Sequence, residues 1–102
     1  MISVVAVITA KPGLRAQVLE AFNANRPAVL AEDGCIEYQA AVDASAFPPS
    51  RGSFGEDTFV VLERWASPAA LKAHGASAHM AEYSAKTKEL VASRVIHILE
   101  AV

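Results

Sequence analysis

Two of the three histidines of this 102-residue chain lie in one short segment, "ERWASPAALKAHGASAHM", together with its only tryptophan. His74 falls nine residues after Trp65, near the end of a predicted helix. A neutral imidazole there could take a proton from a bound substrate, because histidine is the side chain whose ordinary pKa lies near physiological pH. The structural alternative is a histidine that bonds the last free carbonyls of its helix before Gly75. Both interpretations stay open at this point.

His79 follows five residues after His74 and lies one helical turn before Tyr83. On an unbroken helix, residues five apart are rotated by roughly 140°, so the two imidazoles would diverge. We therefore expect no metal site from this pair. The i, i+4 spacing of His79 and Tyr83 could instead present a proton donor and a proton relay together. A half-exposed histidine on a polar helix face is the structural alternative.

Glu63 and Trp65 alternate on a predicted strand and would share one face. Tryptophan offers a flat wall against which an aromatic substrate could stack, or it belongs to the core. A carboxylate on a covered face needs a partner or a raised pKa, and it could orient a histidine if it meets a pocket. The same choice between core and apolar pocket lining applies to Phe22, Val18, Tyr38 and Met80.

No catalytic role is expected for the other reactive side chains. Cys35 has no flanking histidine or basic residue, so a catalytic thiolate is not expected, and His97 is interpreted as a satisfied sheet histidine. The chain has no glycine-rich phosphate cradle, no serine elbow and no thiol pair with metal spacing. We therefore predict no cofactor and no metal.

Length and charge limit the class of protein. A chain of 102 residues predicts one domain, residues 1–102, and its 53% of apolar residues is rich for that size. The net charge of −2 and the scattered basic residues argue against a nucleic-acid partner. "MISVVAVITA" has no secretory cleavage pattern and is too short to span a bilayer, and the single Cys35 fits a reducing compartment. We expect a cytoplasmic protein without membrane contact.

Hydrophobic periodicity predicts the order strand, helix, strand, strand, helix pair, strand. The predicted elements are a strand at 2–10, a helix from Leu14 that kinks or breaks at Pro27, strands at 35–43 and 57–66, helices begun by Ser67 and Ser77, and a strand at 94–102. In the second strand, alternation would place Ile36, Tyr38, Ala40 and Val42 on one face. Residues 44–56 form a long connection that could fold over a site.

This order is the split βαβ pattern of a ferredoxin-like α+β domain, βαββαβ, with a four-stranded antiparallel sheet. Helices would cover one face of that sheet. The other face would leave an apolar patch larger than a monomer normally exposes, which predicts a homodimer packed through its sheet faces.

Two segments, "EDGCIEYQAAVD" and "FVVLERWASPAALKAHGASAH", resemble the antibiotic biosynthesis monooxygenase family, and the resemblance spans nearly the whole chain. It implies a small dimeric α+β barrel that oxygenates anthrones, quinols or related phenolics without metal, flavin or haem, with a pocket-facing histidine at His74. Similar haem-degrading enzymes use an asparagine, a tryptophan and a histidine where this chain has Ala6, His74 and Ser84, so that branch is disfavoured. The 44–56 connection is longer than is usual for the family.

The first functional hypothesis is a cofactor-independent monooxygenase that oxidises an electron-rich phenol, hydroquinone or anthrone with dioxygen. His74 would be the base, and His79 or Tyr83 would return a proton to the peroxide. The small hydrophobic aromatic substrate would contact Trp65, Phe22, Tyr38, Met80 and Glu63. The alternatives are an isomerase or tautomerase acting on a small carbonyl compound, and a dimer that binds a small molecule without catalysis.

Overall fold

A computed structural model describes residues 1–48 and 51–102 and arranges them as a four-stranded sheet with three helices. The elements are β1 Ile2–Ala10, α1 Arg15–Leu30, β2 Cys35–Ala41, β3 Thr58–Trp65, α2 Pro68–Gly75, α3 Ala78–Thr87 and β4 Val91–Glu100. The strands lie in the order β2-β3-β1-β4, and every neighbouring pair is antiparallel. This confirms the ferredoxin-like α+β fold that the sequence predicts.

The two central strands direct one set of alternating side chains under the helices. In β1 the register pairs Val4 with Glu63 and Ala6 with Val61, and all four side chains are buried. Trp65 continues the same face of β3 and is fully buried. The predicted face that carries Glu63 and Trp65 is therefore confirmed, and it faces the helices.

Helix α1 continues through Pro27 to Leu30, so the predicted break does not occur. Pro27 and Asn23 both lie on the exposed side of the helix, where the carbonyl that loses its hydrogen bond can be solvated. Val29, beyond the proline, is fully buried in the same core as Phe22. Packing on both sides of Pro27 therefore keeps the segment helical.

Strand β2 contains a bulge that changes which side chains share a face. Cys35 pairs with Trp65 and Glu37 pairs with Arg64, so Ile36 is an extra residue without an opposite partner. Ile36 is 51% exposed whereas Tyr38 is buried, and the predicted common face of these two residues is wrong. Because of the bulge, Tyr38 points under the helices opposite Glu63.

The ends of the other strands also differ from the prediction. Strand β2 ends at Ala41, two residues early, and β4 runs from Val91 to Glu100 rather than over 94–102. In the 44–56 connection, Pro49 and Ser50 lie outside the described residues. At its ends, Asp43 accepts backbone hydrogen bonds from Phe54 at 3.0 Å and Gly55 at 2.8 Å, which lower the pKa of its carboxyl.

The opposite face of the sheet has no covering helix among the described residues. Val95 and Leu99 are each 50% exposed there, and Leu62 is 38% exposed. In register, Val5 lies opposite Leu62 on β3, and Val7 lies opposite Val95 on β4, which makes this face continuous. None of the helices described is long and apolar enough to cross a membrane.

Candidate active site

A cavity of about 660 Å³ lies between the helix-facing side of the sheet and helices α1, α2 and α3. Its apolar lining includes Val4, Ala6, Ile8, Val61, Ile96, Ile98, Leu71 and Met80, and its polar groups come from Glu63, His74, Tyr38, Tyr83, Ser84 and Arg94. An apolar space with a few convergent polar groups is typical of a site for a small organic ligand.

His74 is 5% exposed and lies at the boundary between the core and this cavity. Its Nδ1 lies 2.8 Å from Glu32 Oε2, and its ring packs on Trp65 with the ring centroids 4.6 Å apart. The carboxylate accepts the Nδ1 proton and so fixes the tautomer in which Nε2 carries a lone pair. Nε2 of His74 has no hydrogen-bond partner among the described residues. Every fully buried side-chain nitrogen in that part of the chain has one. Nε2 is therefore not fully buried, and the His74 side chain lines the cavity.

Glu32 is the residue that sequence reasoning missed. It lies in the "AEDG" turn after α1, a segment whose spacing suggests only a helix end, and 42 positions separate it from His74. The turn approaches α2 closely at Gly34, where an added Cβ would lie 2.7 Å from Ala70 Cβ. This contact of the turn with α2 brings the carboxylate to the end of the helix that carries His74.

His79 approaches the same carboxylate oxygen, with Nε2 2.8 Å from Glu32 Oε2. The expected divergence of the two imidazoles is wrong, because α2 ends at Gly75 and α3 begins at Ala78, so the rotation along one unbroken helix does not apply. Ser77 makes the junction: its Oγ donates to the carbonyl of His74 at 2.8 Å and accepts from the amide of Met80 at 3.4 Å.

Glu63, unlike Glu32, lines the cavity with its carboxylate side chain. Trp65 Nε1 donates to Glu63 Oε1 at 2.9 Å, and Trp65 itself is fully buried and is not part of the cavity lining. Burial raises the pKa of the Glu63 carboxyl, an effect that the Trp65 hydrogen bond and the nearby His74 oppose. Trp65 is thus a core residue that orients Glu63 and supports the His74 ring.

An aromatic cluster lines the cavity beside His74, whose ring lies 5.5 Å from that of Tyr38 between the ring centroids. Phe22 stacks on Tyr38 with centroids 5.1 Å apart and meets Tyr83 edge-on at 6.4 Å. The hydroxyls of Tyr38 and Tyr83 have no hydrogen-bond partner among the described residues, and both residues line the cavity. Burial raises the pKa of both phenols, so each stays a neutral hydrogen-bond donor.

The pattern of the family described as antibiotic biosynthesis monooxygenase (ABM) matches residues 1–86. The chain belongs to this family. It is 39% identical over 102 residues to the protein of Escherichia coli strain K12 named probable quinol monooxygenase YgiN, across 98% of this chain and 97% of that protein.

Solved structures of similar proteins share the fold of this chain over almost its whole length. PA3566 from Pseudomonas aeruginosa superposes with a TM-score of 0.82 and 25% identity, covering 99% of this chain and 93% of that chain. Rv0793 from Mycobacterium tuberculosis gives a TM-score of 0.80 and 25% identity, covering 99% and 94% respectively.

The sequence-predicted site residues of this ABM chain divide into two groups. Two of the eight, Trp65 and His79, do not line the cavity, whereas the other six do: His74, Tyr83, Phe22, Tyr38, Met80 and Glu63. Among the described residues no hydrogen bond links His79 to Tyr83, because His79 turns to Glu32 and Ser77. Cys35 is half-buried, and burial raises the pKa of its thiol, which disfavours a thiolate.

Proposed function

We propose that the protein is a cofactor-independent monooxygenase that oxidises an electron-rich phenol, hydroquinone or anthrone with dioxygen. The observation that carries the proposal is the position of His74, which lines a largely apolar cavity while Glu32 holds its Nδ1, so that Nε2 is the nitrogen left to act as a base. Membership of the ABM family supports monooxygenase chemistry, and the name of the E. coli relative supports a quinol as the substrate class.

In the proposed reaction, His74 Nε2 accepts the phenolic proton of the bound substrate. Glu32 stabilises the imidazolium that forms, in the way that a buried carboxylate supports the histidine of a catalytic triad. The apolar walls exclude water and bring the substrate anion next to dioxygen. The anion passes one electron to dioxygen, and the two radicals combine to a peroxide. Loss of water leaves one oxygen atom in the product as a carbonyl and the other in the water.

The peroxide must receive a proton before it can lose water, and a protonated group of the cavity would supply it. Tyr83 lines the cavity as a neutral phenol. In this proposal it returns a proton to the peroxide. His79 reaches the cavity only through Glu32 and His74, so we assign it an indirect part. Phe22, Tyr38 and Met80 would pack on the aromatic substrate, and Glu63 would bond a substrate hydroxyl.

We also propose that two copies pack through the uncovered sheet face. Val95, Leu99 and Leu62 supply an apolar surface there, continuous with Val5 and Val7 of β1. Two chains related by a two-fold axis, the symmetry of most homodimers, would bury this surface against each other. The cytoplasmic location suggested by the single Cys35 stays a prediction.

The test is oxygen uptake by chelator-treated protein with a panel of hydroquinones and anthrones, in the presence of catalase. We expect saturable uptake and one atom of labelled oxygen in the product. His74→Ala should abolish the uptake, whereas Glu20→Gln, on the exposed side of α1, is the control. Uptake no faster than the spontaneous reaction would overturn the proposal. Substrate conversion without oxygen would indicate the isomerase or tautomerase alternative, and saturable binding without turnover would indicate a binding protein.

A further inference from the structure

Glu32, His74 and His79 form a cluster that the proposed reaction uses only in part. Glu32 Oε2 lies 2.8 Å from His74 Nδ1 and 2.8 Å from His79 Nε2, and the three potential ligand atoms all lie within 4.8 Å of one another. We infer that this cluster is a binding site for a first-row divalent metal ion, Zn²⁺ above all, and that the ion inhibits the enzyme. The inhibitory part of the inference rests on the proposed function; the binding part does not.

Three backbone segments supply the three ligands: the turn after α1, the end of α2 and the start of α3. Glu32 lies in the turn between α1 and β2, where its amide bonds the carbonyl of Val29 at 3.0 Å and its carbonyl accepts from the amide of Cys35 at 3.2 Å. His74 and His79 lie on either side of Ser77, which bonds both helix ends. Such a site is largely formed before an ion arrives, so little ordering free energy opposes binding.

The distances suit a metal ion. With Zn–N bonds of about 2.0–2.1 Å and Zn–O bonds of about 2.0–2.2 Å, neighbouring ligand atoms lie roughly 2.8–3.5 Å apart in tetrahedral or octahedral geometry. The 2.8 Å separations therefore need to open by only a few tenths of an ångström. Two imidazoles and one carboxylate are a ligand set that favours zinc and its neighbours over Mg²⁺ or Ca²⁺, which prefer oxygen ligands alone.

The ion has a route from solvent. The His79 side chain is 27% exposed, whereas those of Glu32 and His74 are 13% and 7% exposed. An ion would therefore enter on the His79 side, away from the cavity that His74 lines. Three protein ligands leave at least one position for water.

Occupancy would change the tautomer of His74. In the free protein Nδ1–H donates to Glu32 and Nε2 is free to accept a proton. A metal ion on Nδ1 displaces the proton of that nitrogen and requires the ring proton to reside on Nε2, the nitrogen that acts as the base in the proposed reaction. His74 then faces the substrate as a donor and no longer as a base. Zinc should therefore suppress turnover without entering the cavity.

The binding arm uses isothermal titration calorimetry of chelator-treated protein with ZnCl₂. We expect one zinc ion per chain in the wild type and unchanged affinity in His97→Gln, which removes the one histidine outside the cluster. His79→Gln and Glu32→Gln should each weaken binding by more than about 100-fold, because even the partners of ligands are worth roughly 10–100-fold. Equal affinity in either cluster variant, or no saturable binding, would overturn the inference.

The melting temperature is a second measurement, which also applies to a variant of reduced stability. Zinc that binds only the folded state raises the melting temperature, so zinc should raise that of the wild type and of His97→Gln but not that of His79→Gln. His79 is part-exposed, and its replacement is the less disruptive of the two cluster changes. An equal rise in His79→Gln would place the ion elsewhere and overturn the inference.

The activity arm separates this inference from the proposed function. Zinc should inhibit wild-type oxygen uptake over the same concentration range in which calorimetry detects binding, and the turnover that His79→Gln retains should lose that sensitivity. Zinc binding without inhibition of an active enzyme would overturn the inhibitory part. If the metal-free protein turns over no substrate, the proposed function fails, while the calorimetric result stands by itself.

Discussion

Glu32 Oε2 lies 2.8 Å from His74 Nδ1, although 42 positions separate the two residues. The carboxylate comes from the turn after α1 and the imidazole from the last turn of α2. The pair gives His74 a defined tautomer in which Nε2 is left as the possible base. An imidazole on a flexible surface would have no such fixed partner. The proposed chemistry therefore depends on how a turn packs against a helix.

Glu32→Gln tests this pair with little change in shape. Glutamine can still accept the Nδ1 proton but has no charge to stabilise the imidazolium. We expect kcat/KM for a quinol to fall by roughly 10²-fold or more, mostly through kcat, since general-base catalysis contributes about 10²–10⁴-fold. The matched control is Glu20→Gln on the exposed side of α1. Steady-state kinetics that are the same in both variants would contradict the role of Glu32.

Glu63→Gln tests the second carboxylate through stability. Burial raises the pKa of Glu63 above its ordinary value of 4.5, so the folded protein is penalised wherever the carboxyl is charged. The penalty is absent at pH below 4.5, where both states bind the proton, and it grows as the pH rises through the folded-state pKa. Glutamine keeps an oxygen for the Trp65 indole. We therefore expect the variant to be more stable than the wild type near neutral pH.

Urea unfolding near pH 8 and near pH 4 measures this difference. The gain should shrink toward zero at the lower pH, because the wild-type carboxyl is then largely protonated in both states. Glu20→Gln, an exposed carboxylate, should show no comparable gain. A stability gain that is equal at both pH values would indicate a packing effect and contradict the assigned cause.

The shared face of Glu63 and Trp65 was predictable because side chains alternate along a strand. In β1 both alternating faces are apolar, so the sequence did not indicate which of them meets the helices. Val4, Ala6 and Val61 face the helices as the period of two requires. The bulge at Ile36 was not predictable, since nothing in "CIEYQAA" marks an extra residue. The helix at Pro27 likewise depends on exposure of the unpaired carbonyl, which is a property of the packed structure.

The candidate site could be predicted only where residue type carried the information. Six of the eight predicted residues line the cavity because aromatic, histidine and buried acidic side chains on helix-facing positions meet there. Glu32 could not be found in this way, because a carboxylate in a turn is ordinarily solvated. The convergence of His74 and His79 depends on the chain reversal at Ser77, which helical spacing does not describe.

Gly34→Ala tests whether the turn that carries Glu32 needs its close approach to α2. Gly34 has φ +83°, and an added Cβ would lie 2.7 Å from Ala70 Cβ. Gly13 has φ +80° but nothing within 4 Å of an added Cβ, so Gly13→Ala carries the same backbone strain without the clash. We expect Gly13→Ala to cost about 1 kcal/mol and Gly34→Ala to cost clearly more, with a larger loss of turnover. Thermal unfolding and steady-state kinetics measure both variants. Equal stability and equal turnover in the two variants would contradict this expectation.

Tyr83→Phe removes the proposed donor from the cavity. The hydroxyl has no partner within the described structure, so its loss should change the free energy of unfolding by less than about 0.5 kcal/mol. If Tyr83 returns a proton to the peroxide, kcat should fall while KM changes little, because the interaction forms only after the oxygen step. Tyr38→Phe is the comparison, since Tyr38 also lines the cavity but is assigned to substrate packing. A rise in KM alone in Tyr83→Phe would reassign the hydroxyl to substrate binding.

Val95→Glu tests the proposed dimer through the uncovered sheet face. Val95 lies opposite Val7 in the register and is 50% exposed, so the glutamate costs an isolated chain little. Between two sheet faces the same carboxylate would lose its hydration without a partner, a change large enough to separate the copies. We expect the wild type to sediment as a dimer at micromolar concentrations and Val95→Glu as a folded monomer. Leu30→Glu, at the exposed end of α1 and 42% exposed, should stay dimeric, and a wild type that sediments as a monomer would contradict the proposed assembly.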